Sequence, residues 1–209
     1  MLDETRENFR NVADFLSHQA REQSVRSVVF TGVSPGCGTT TTAWSVAREL
    51  AHLAGLRTLL VDLNCRRPGV ARMFAKEASG TIEFWSTTAD DEREIKGTPV
   101  PSVPGLAVVV PPPNASVTAE TVRRVIQKAA HHFDMVLFDT PPVLGYADAF
   151  VVAGVTQGMV LVVEAGQTPF EVIDRVKHEI GVRGVTLLGS VLNKHRRFIP
   201  GWVYRLFAR

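Results

Sequence analysis

The stretch that decides the fold reads VRSVVFTGVSPGCGTTTTAWSVARELAHLAGL and covers residues 25–56. It opens with a β-branched apolar run, continues with a turn rich in glycine and hydroxyl residues, and ends in a helix-like amphipathic segment. A glycine-rich turn between a strand and a helix suits an anion, because backbone N–H groups can approach it and the helix end carries partial positive charge. The stretch therefore predicts a strand, a phosphate-binding turn and a helix.

Further apolar runs, each ending in turn or polar residues, follow along the chain. They cover residues 58–64, 106–111, 135–142, 159–166 and 185–193. Helix-like stretches cover residues 4–22, 39–55, 116–132, 145–154 and 169–181. Strands that alternate with helices predict an α/β fold with a doubly wound, mostly parallel sheet flanked by helices. Residues 76–104 have mixed polarity and several prolines, which predicts a short helix followed by a surface excursion.

The composition is that of one globular domain. The chain has 209 residues, of which 45% are hydrophobic and 21% charged. A net charge of +2 excludes a strongly basic nucleic-acid binder, so no nucleic-acid partner is expected, and two cysteines exclude a disulfide framework. The first residues contain no apolar segment typical of a signal peptide, and no apolar run is long enough to span a bilayer. We therefore expect a cytoplasmic protein.

Two aspartates follow apolar strands at the positions where ligands of such sheets bind. Asp62 begins the polar part of VDLNCRRP (61–68), and Asp139 stands in FDTPP (138–142). A single aspartate after a strand is more often a turn or helix-cap residue. Two of them beside a phosphate-binding turn, together with the hydroxyl of Thr40, predict a site that holds Mg²⁺ through its waters.

The turn follows most of the P-loop pattern, in which a glycine precedes a lysine and then a serine or threonine. Gly38 and Thr40 occupy the glycine and hydroxyl positions, and Thr39 stands where the lysine is expected. Phosphoryl transfer relies on positive charge around the developing negative oxygens. Loss of the lysine therefore predicts a rate at least about two orders of magnitude lower, while backbone N–H groups still bind phosphate.

The combined motifs resemble the bacterial tyrosine kinases of capsule and exopolysaccharide assembly. The resemblance covers Glu7 to Asn193 and rests on segments of the form PGxGxxT, LLVDxNxRRP, FDxVLxDTPPVLxxxDA, LVVEAGxT and GxVLN. It implies a P-loop NTPase fold similar to the ParA/MinD partition ATPases, with ATP and Mg²⁺ as cofactors. It also implies Asp62 and Asp139 as catalytic carboxylates and as metal-site residues with Thr40. The predicted nucleotide-binding residues are Ser34, Pro35, Gly36, Cys37, Gly38, Thr39, Thr40, Thr41 and Arg66.

The chain departs from this family at four places. Thr39 replaces the phosphate-binding lysine, and Asn64 replaces the second aspartate of a D-x-D segment, a metal-shell and proposed base residue. Ala13 replaces the last arginine of a self-association motif E-x-x-R-x-x-R that begins at Glu7. The tyrosine-rich tail of the family is missing, since the only tyrosines are Tyr146 and Tyr204. These departures predict a pseudokinase that acts as a regulator or scaffold and retains some ATP binding.

Two alternatives remain open. An active tyrosine kinase would need another positive group at the phosphate site, for which Arg66 or Arg67 is a candidate. A ParA/MinD-type positioning ATPase would carry a signature lysine early in the loop, where this chain has Ser34-Pro35-Gly36.

The tail forms a unit separate from the kinase-like domain of residues 1–193. Residues 193–209 read NKHRRFIPGWVYRLFAR. The tail, residues 194–209, combines arginines with aromatic and aliphatic residues at helical spacing. Such a segment favours docking on an anionic membrane surface or on the cytoplasmic part of a membrane chain-length co-polymerase. Packing back onto the domain is an equal alternative. We expect peripheral location at the inner face of the cell membrane, and a homo-oligomer is a further expectation.

Overall fold

The computed structural model describes residues 2–65, 67–77, 97–110 and 116–195. Its centre is a seven-stranded sheet in the order β3-β4-β2-β5-β1-β6-β7. The strands are β1 Ser27–Gly32, β2 Thr58–Asp62, β3 Thr98–Pro99, β4 Leu106–Val109, β5 Met135–Asp139, β6 Gly158–Glu164 and β7 Leu187–Asn193. All neighbouring strands pair in parallel except β3, which is antiparallel to β4 at one edge.

In the described part of the chain, six helices connect or precede the strands. They are α1 Leu2–Glu22, α2 Thr39–His52, α3 Val70–Glu77, α4 Ala119–Ala129, α5 Asp148–Ala153 and α6 Phe170–Val182. With right-handed crossovers, the strand order places α2 and α3 on one face of the sheet and α4, α5 and α6 on the other. The first helix, α1, packs on α2.

The core explains why the central strands are apolar throughout. Every residue of β1, β2, β4 and β5 is buried, because helices cover both faces of the sheet. The edge strand β7 is different, since most of its residues are exposed or half-buried. The predicted doubly wound, mostly parallel sheet is confirmed.

The predicted elements agree with the structure except between the second and fourth strands. The helix predicted to start near residue 76 instead spans Val70–Glu77, because the Asp62 carboxylate accepts the Val70 N–H (2.9 Å) and fixes the helix start. The two-residue strand β3 was missed: it is short and contains a proline, which is tolerated at a sheet edge. Residues 78–96 lie outside the described residues.

Within the described residues, no helix is both long and apolar enough to cross a membrane.

Candidate nucleotide-binding site

The predicted phosphate-binding turn has the backbone of an anion-binding loop. Gly36 (φ 87°) and Gly38 (φ 86°) adopt the left-handed conformation that glycine alone enters without strain. Helix α2 begins directly after Gly38, without a side-chain cap and without an acidic residue in its first turn. Its first N–H groups therefore lack a side-chain acceptor from the cap position, which suits a bound phosphate.

The phosphate-binding loop is held at Cys37 by a residue of the edge strand β7. The Asn193 side chain, at the end of β7, donates from Nδ2 to the Cys37 carbonyl oxygen (2.8 Å). A Cβ atom at position 38 would collide with the same Asn193 amide, so the close approach itself requires glycine. Cys37 is buried, and its Sγ accepts from the Ser34 N–H (3.4 Å). Within residues 32–40, only Pro35 and Gly36 at the tip are exposed.

Thr39, at the lysine position, is turned toward the loop's own backbone. Its Oγ1 lies 2.6 Å from where a Cβ would stand on Gly32, so the side chain packs against the main chain there. The nearby cation Lys194 forms an ion pair with Glu164 (Nζ–Oε1, 3.1 Å). Arg66, predicted to contact the nucleotide, lies outside the described residues.

Thr40 and Asp139 form the centre of the candidate metal site. The Thr40 hydroxyl donates to Asp139 Oδ2 (2.6 Å), which joins the start of α2 to the end of β5. Asp139 is fully buried, and among the described residues no group donates a hydrogen bond to its other oxygen, Oδ1. Burial raises the pKa of Asp139 well above its usual range, the nearby Asp62 raises it further, and the Thr40 hydrogen bond lowers it.

Asp62 lies directly opposite Asp139, because the two are register partners between β2 and β5. Its carboxylate accepts the N–H groups of Asn64 (Oδ1, 2.9 Å) and Val70 (Oδ2, 2.9 Å). Burial raises the pKa of Asp62 to about 6, although these backbone N–H groups lower it. Two buried carboxyls are thus held side by side at the carboxyl edge of the sheet.

This arrangement fits Mg²⁺. A hydroxyl and two carboxylates are oxygen ligands that the ion accepts, and a divalent charge would offset the raised pKa values of both carboxyls. In the described part of the chain, no group of three or more His, Cys, Asp or Glu side chains could hold a metal by itself. Water and nucleotide phosphates would therefore complete the coordination, as is usual for Mg²⁺ at phosphate sites.

Asn64 serves a structural purpose. Its side-chain Oδ1 accepts the Arg67 N–H (3.2 Å), and its own N–H donates to Asp62. The residue therefore closes the turn after β2 and orients Asp62. An asparagine cannot accept a proton as a carboxylate does, so this position supplies no general base.

The site residues predicted from the sequence do not include Asn193 and Gly69, which the structure places at the site. A Cβ on Gly69 would lie 2.6 Å from Thr40 Cγ2, so the start of α3 approaches the phosphate loop closely only because this residue is glycine. Both residues stand at strand or helix ends near the carboxyl edge, a position that would have made them candidates. Asn193 ends the GxVLN segment, but that segment does not indicate a contact with Cys37, and the contacts of both residues follow from the folded geometry.

The positions of the self-association motif lie on α1. Arg10 lies 3.8 Å from the buried Glu49 of α2 (Nε–Oε2) within the same chain. Ala13 is buried in the core with an exposed fraction of 1%. An arginine therefore has no room at position 13, which sets this chain apart from the motif.

A parallel sheet with a glycine loop at the start of a helix, a hydroxyl after it and two aspartates at neighbouring strand ends defines the class of P-loop NTPases. The MinD protein complexed with Mg-ADP from Pyrococcus horikoshii shares this fold (TM-score 0.58, 14% identity, 86% of this chain and 76% of that one). So does the kinase domain of VpsO (TM-score 0.71, 24% identity, 94% of this chain and all of the other).

Within this class, the chain belongs to the bacterial tyrosine-protein kinases. It is 31% identical over 200 residues to the tyrosine-protein kinase CpsD of Streptococcus agalactiae. The aligned region covers 91% of this chain and 83% of that protein. It is 28% identical over 190 residues to the tyrosine-protein kinase YwqD of Bacillus subtilis (90% and 80%). No family model matches the chain. The resemblance inferred from the motifs is confirmed.

Proposed function

We propose that the chain is a nucleotide-binding regulator or scaffold of this family whose phosphoryl transfer is weakened or lost. The observation that carries the proposal is the short Thr39 side chain, packed against Gly32 at the position where a lysine would reach the β- and γ-phosphates. A missing electrostatic donor costs about 3–4 kcal/mol of transition-state stabilisation, or at least about a hundredfold in rate.

Nucleotide binding is the part of the proposal that the loop geometry supports. Gly36 and Gly38 give the loop its anion-binding shape, and α2 begins without a side-chain cap. Thr40, Asp62 and Asp139 are the residues that would hold Mg²⁺ through water. When bound, the ion would supply positive charge that offsets the charge of the phosphate groups. The backbone that would surround ATP comes from the loop residues Ser34, Pro35 and Cys37 and from Thr39 and Thr41 in the first turn of α2.

The proposed setting is capsule or exopolysaccharide biosynthesis, beside the cytoplasmic part of a membrane chain-length co-polymerase. The support is the motif resemblance and the family membership. The proposed location is the inner face of the cell membrane, with the basic aromatic tail as the contact. A homo-oligomer is proposed only in a form that does not use position 13, because Ala13 is buried.

The experiment compares the native chain with Thr39→Lys and Asn64→Asp in calorimetric titrations with ATP–Mg²⁺ and in assays of labelled γ-phosphate incorporation. Thr39→Lys is expected to tighten ATP–Mg²⁺ binding at least about tenfold and to raise incorporation about a hundredfold. Asn64→Asp restores a carboxylate and is expected to raise incorporation further in the double variant. His52→Lys is the matched control, because it adds a lysine at an exposed position at the opposite end of α2.

Robust Mg²⁺-dependent incorporation by the native chain, with no gain from Thr39→Lys, would overturn the proposal. That result would favour the second candidate, an active ATP-dependent tyrosine kinase. This second candidate is supported by the names of the relatives, because CpsD and YwqD are called tyrosine-protein kinases. The ParA/MinD-type alternative has less support, because MinD shares the fold at only 14% identity.

A further inference from the structure

A cavity separate from the candidate nucleotide-binding site lies between α5 and α6, on the opposite face of the sheet from α2. Its volume is about 310 Å³, which is at the lower end of the range of small-ligand sites. Its apolar wall includes Val143, Leu144 and Phe150, and Tyr146 stands among the lining residues. Leu144 is 48% exposed and Tyr146 is 37% exposed, so the cavity opens to solvent beside them.

The polar wall of this cavity comes from α6 and carries an excess of positive charge. Arg175, Glu179 and Arg183 line it. Arg183 pairs with Glu179 (3.4 Å), and its guanidinium carbon stands 4.3 Å from the centre of the Phe150 ring. The Arg175 side chain forms no hydrogen bond or ion pair with any other residue that the structure describes. One guanidinium is thus positioned by an aromatic ring, and a second has no anionic partner.

The combination of an apolar wall and two guanidinium groups selects an aromatic anion. An aromatic ring fits against Val143, Leu144 and Phe150, and a phosphate can accept paired N–H groups from arginine in a planar geometry. A phosphotyrosine side chain carries both parts in one group. A phosphoserine lacks the ring, and an unmodified tyrosine lacks the charge.

We propose that the cavity between α5 and α6 binds a phosphotyrosine side chain presented by a partner protein, with Arg175 and Arg183 receiving the phosphate. The inference deepens the proposed function and rests on it, because phosphotyrosine is the product of tyrosine kinases and a regulator of such a kinase needs a means to detect that product.

The cavity is connected to the nucleotide site through the segment that follows β5. Val143, which lines the cavity, donates its N–H to the Gly32 carbonyl oxygen at the start of the phosphate loop (2.9 Å). Only three residues separate Val143 from Asp139. A ligand that contacts Val143 and Leu144 therefore touches the same segment that positions the buried carboxylate.

The test is a calorimetric titration of the full chain, without nucleotide, with three probes: the N-acetyl amides of phosphotyrosine, tyrosine and phosphoserine. The phosphotyrosine probe is expected to bind at least about tenfold more tightly than either of the others. Arg175→Gln is expected to weaken it at least about tenfold, and Arg175→Lys, which keeps the charge but loses the planar geometry, by less. Lys177→Gln removes one exposed charge from α6 outside the cavity lining and is the matched control.

Equal binding of the tyrosine or phosphoserine probe would overturn the inference, and so would an equal loss in Lys177→Gln. Displacement of the phosphotyrosine probe by ATP–Mg²⁺ at one shared site would place the probe in the phosphate loop and would also overturn it. Binding of ATP–Mg²⁺ by the native chain is measured separately. Its absence, with the phosphotyrosine result intact, would contradict the nucleotide binding proposed above and leave this site standing.

Discussion

At the scale of single residues, the buried pair Asp62 and Asp139 makes the nucleotide-free chain sensitive to pH. The pKa of Asp62 is about 6 instead of its usual 3.8, so the folded chain holds this proton more tightly than the unfolded chain does. As the pH rises from about 4, the unfolded state ionises first, and stability declines until the folded carboxyl has also ionised near pH 6. The difference between the pKa of Asp62 in the folded chain and its usual value corresponds to about 3 kcal/mol in the free energy of unfolding.

Asp62→Asn is therefore expected to remove a decline of about 3 kcal/mol in the free energy of unfolding between pH 4 and pH 6. The variant is less stable at pH 4, because an amide keeps only one of the two acceptors that bind the Asn64 and Val70 N–H groups. The measurement is urea unfolding at a series of pH values. Asp174→Asn, an exposed change on α6, is the control and should keep the native slope. If the free energy of unfolding of Asp62→Asn fell between pH 4 and pH 6 as steeply as that of the native chain, the prediction would be wrong.

At the scale of elements, the sequence was informative wherever an element is long and buried. The continuous apolar runs at 58–64 and 135–142 predicted β2 and β5, because strands covered on both faces have no polar alternation. The short strand β3 was not predictable, since two residues carry no period. The start of α3 was placed too late because the group that fixes it, the Asp62 carboxylate, belongs to the end of another element.

The contact between α1 and α2 carries a prediction about the self-association motif. Ala13→Arg, which restores the motif, places a charged and larger side chain at a buried position. The expected result is a loss of at least about 3 kcal/mol in the free energy of unfolding, with no gain in oligomer size. The measurements are urea unfolding and size-exclusion chromatography with light scattering.

Asn11→Arg is the matched control for Ala13→Arg, because it adds the same group at an exposed position of α1. It is expected to leave stability nearly unchanged. If Ala13→Arg were as stable as Asn11→Arg and formed a larger assembly, α1 would use this position for contacts between chains, and the burial argument would be wrong.

At the scale of the whole molecule, the order of motifs along the chain predicted the fold and the edge of the sheet where the site lies. Asp62 and Asp139 could be placed together because both follow parallel strands. The hydrogen bond between Asn193 and Cys37 could not be predicted from the sequence, because it joins residues 156 positions apart and depends on β7 lying next to β6. Long-range side-chain contacts of this kind are set by the packing of the complete sheet.

The tail also carries a prediction at this scale; its residues 196–209 lie outside the described residues. The full chain is expected to sediment with vesicles that contain anionic lipid, because each arginine near such a surface contributes about 1 kcal/mol. Removal of residues 196–209 is expected to abolish most of this binding, and neutral vesicles are the control. Equal sedimentation of the shortened chain would exclude the tail as the membrane contact.

The hydrogen bond from Asn193 to the Cys37 carbonyl has a mechanical consequence. Only Lys194 and His195, the first two residues of the tail, lie between Asn193 and residues 196–209. A displacement of residues 196–209 would therefore act on the end of β7, which is tied to the Cys37 carbonyl by the Asn193 amide and to β6 by the Ala165–Asn193 backbone bond and the Lys194–Glu164 ion pair. If residues 196–209 make the proposed contact, attachment there would thus act on the end of β7 that holds the proposed nucleotide-binding loop.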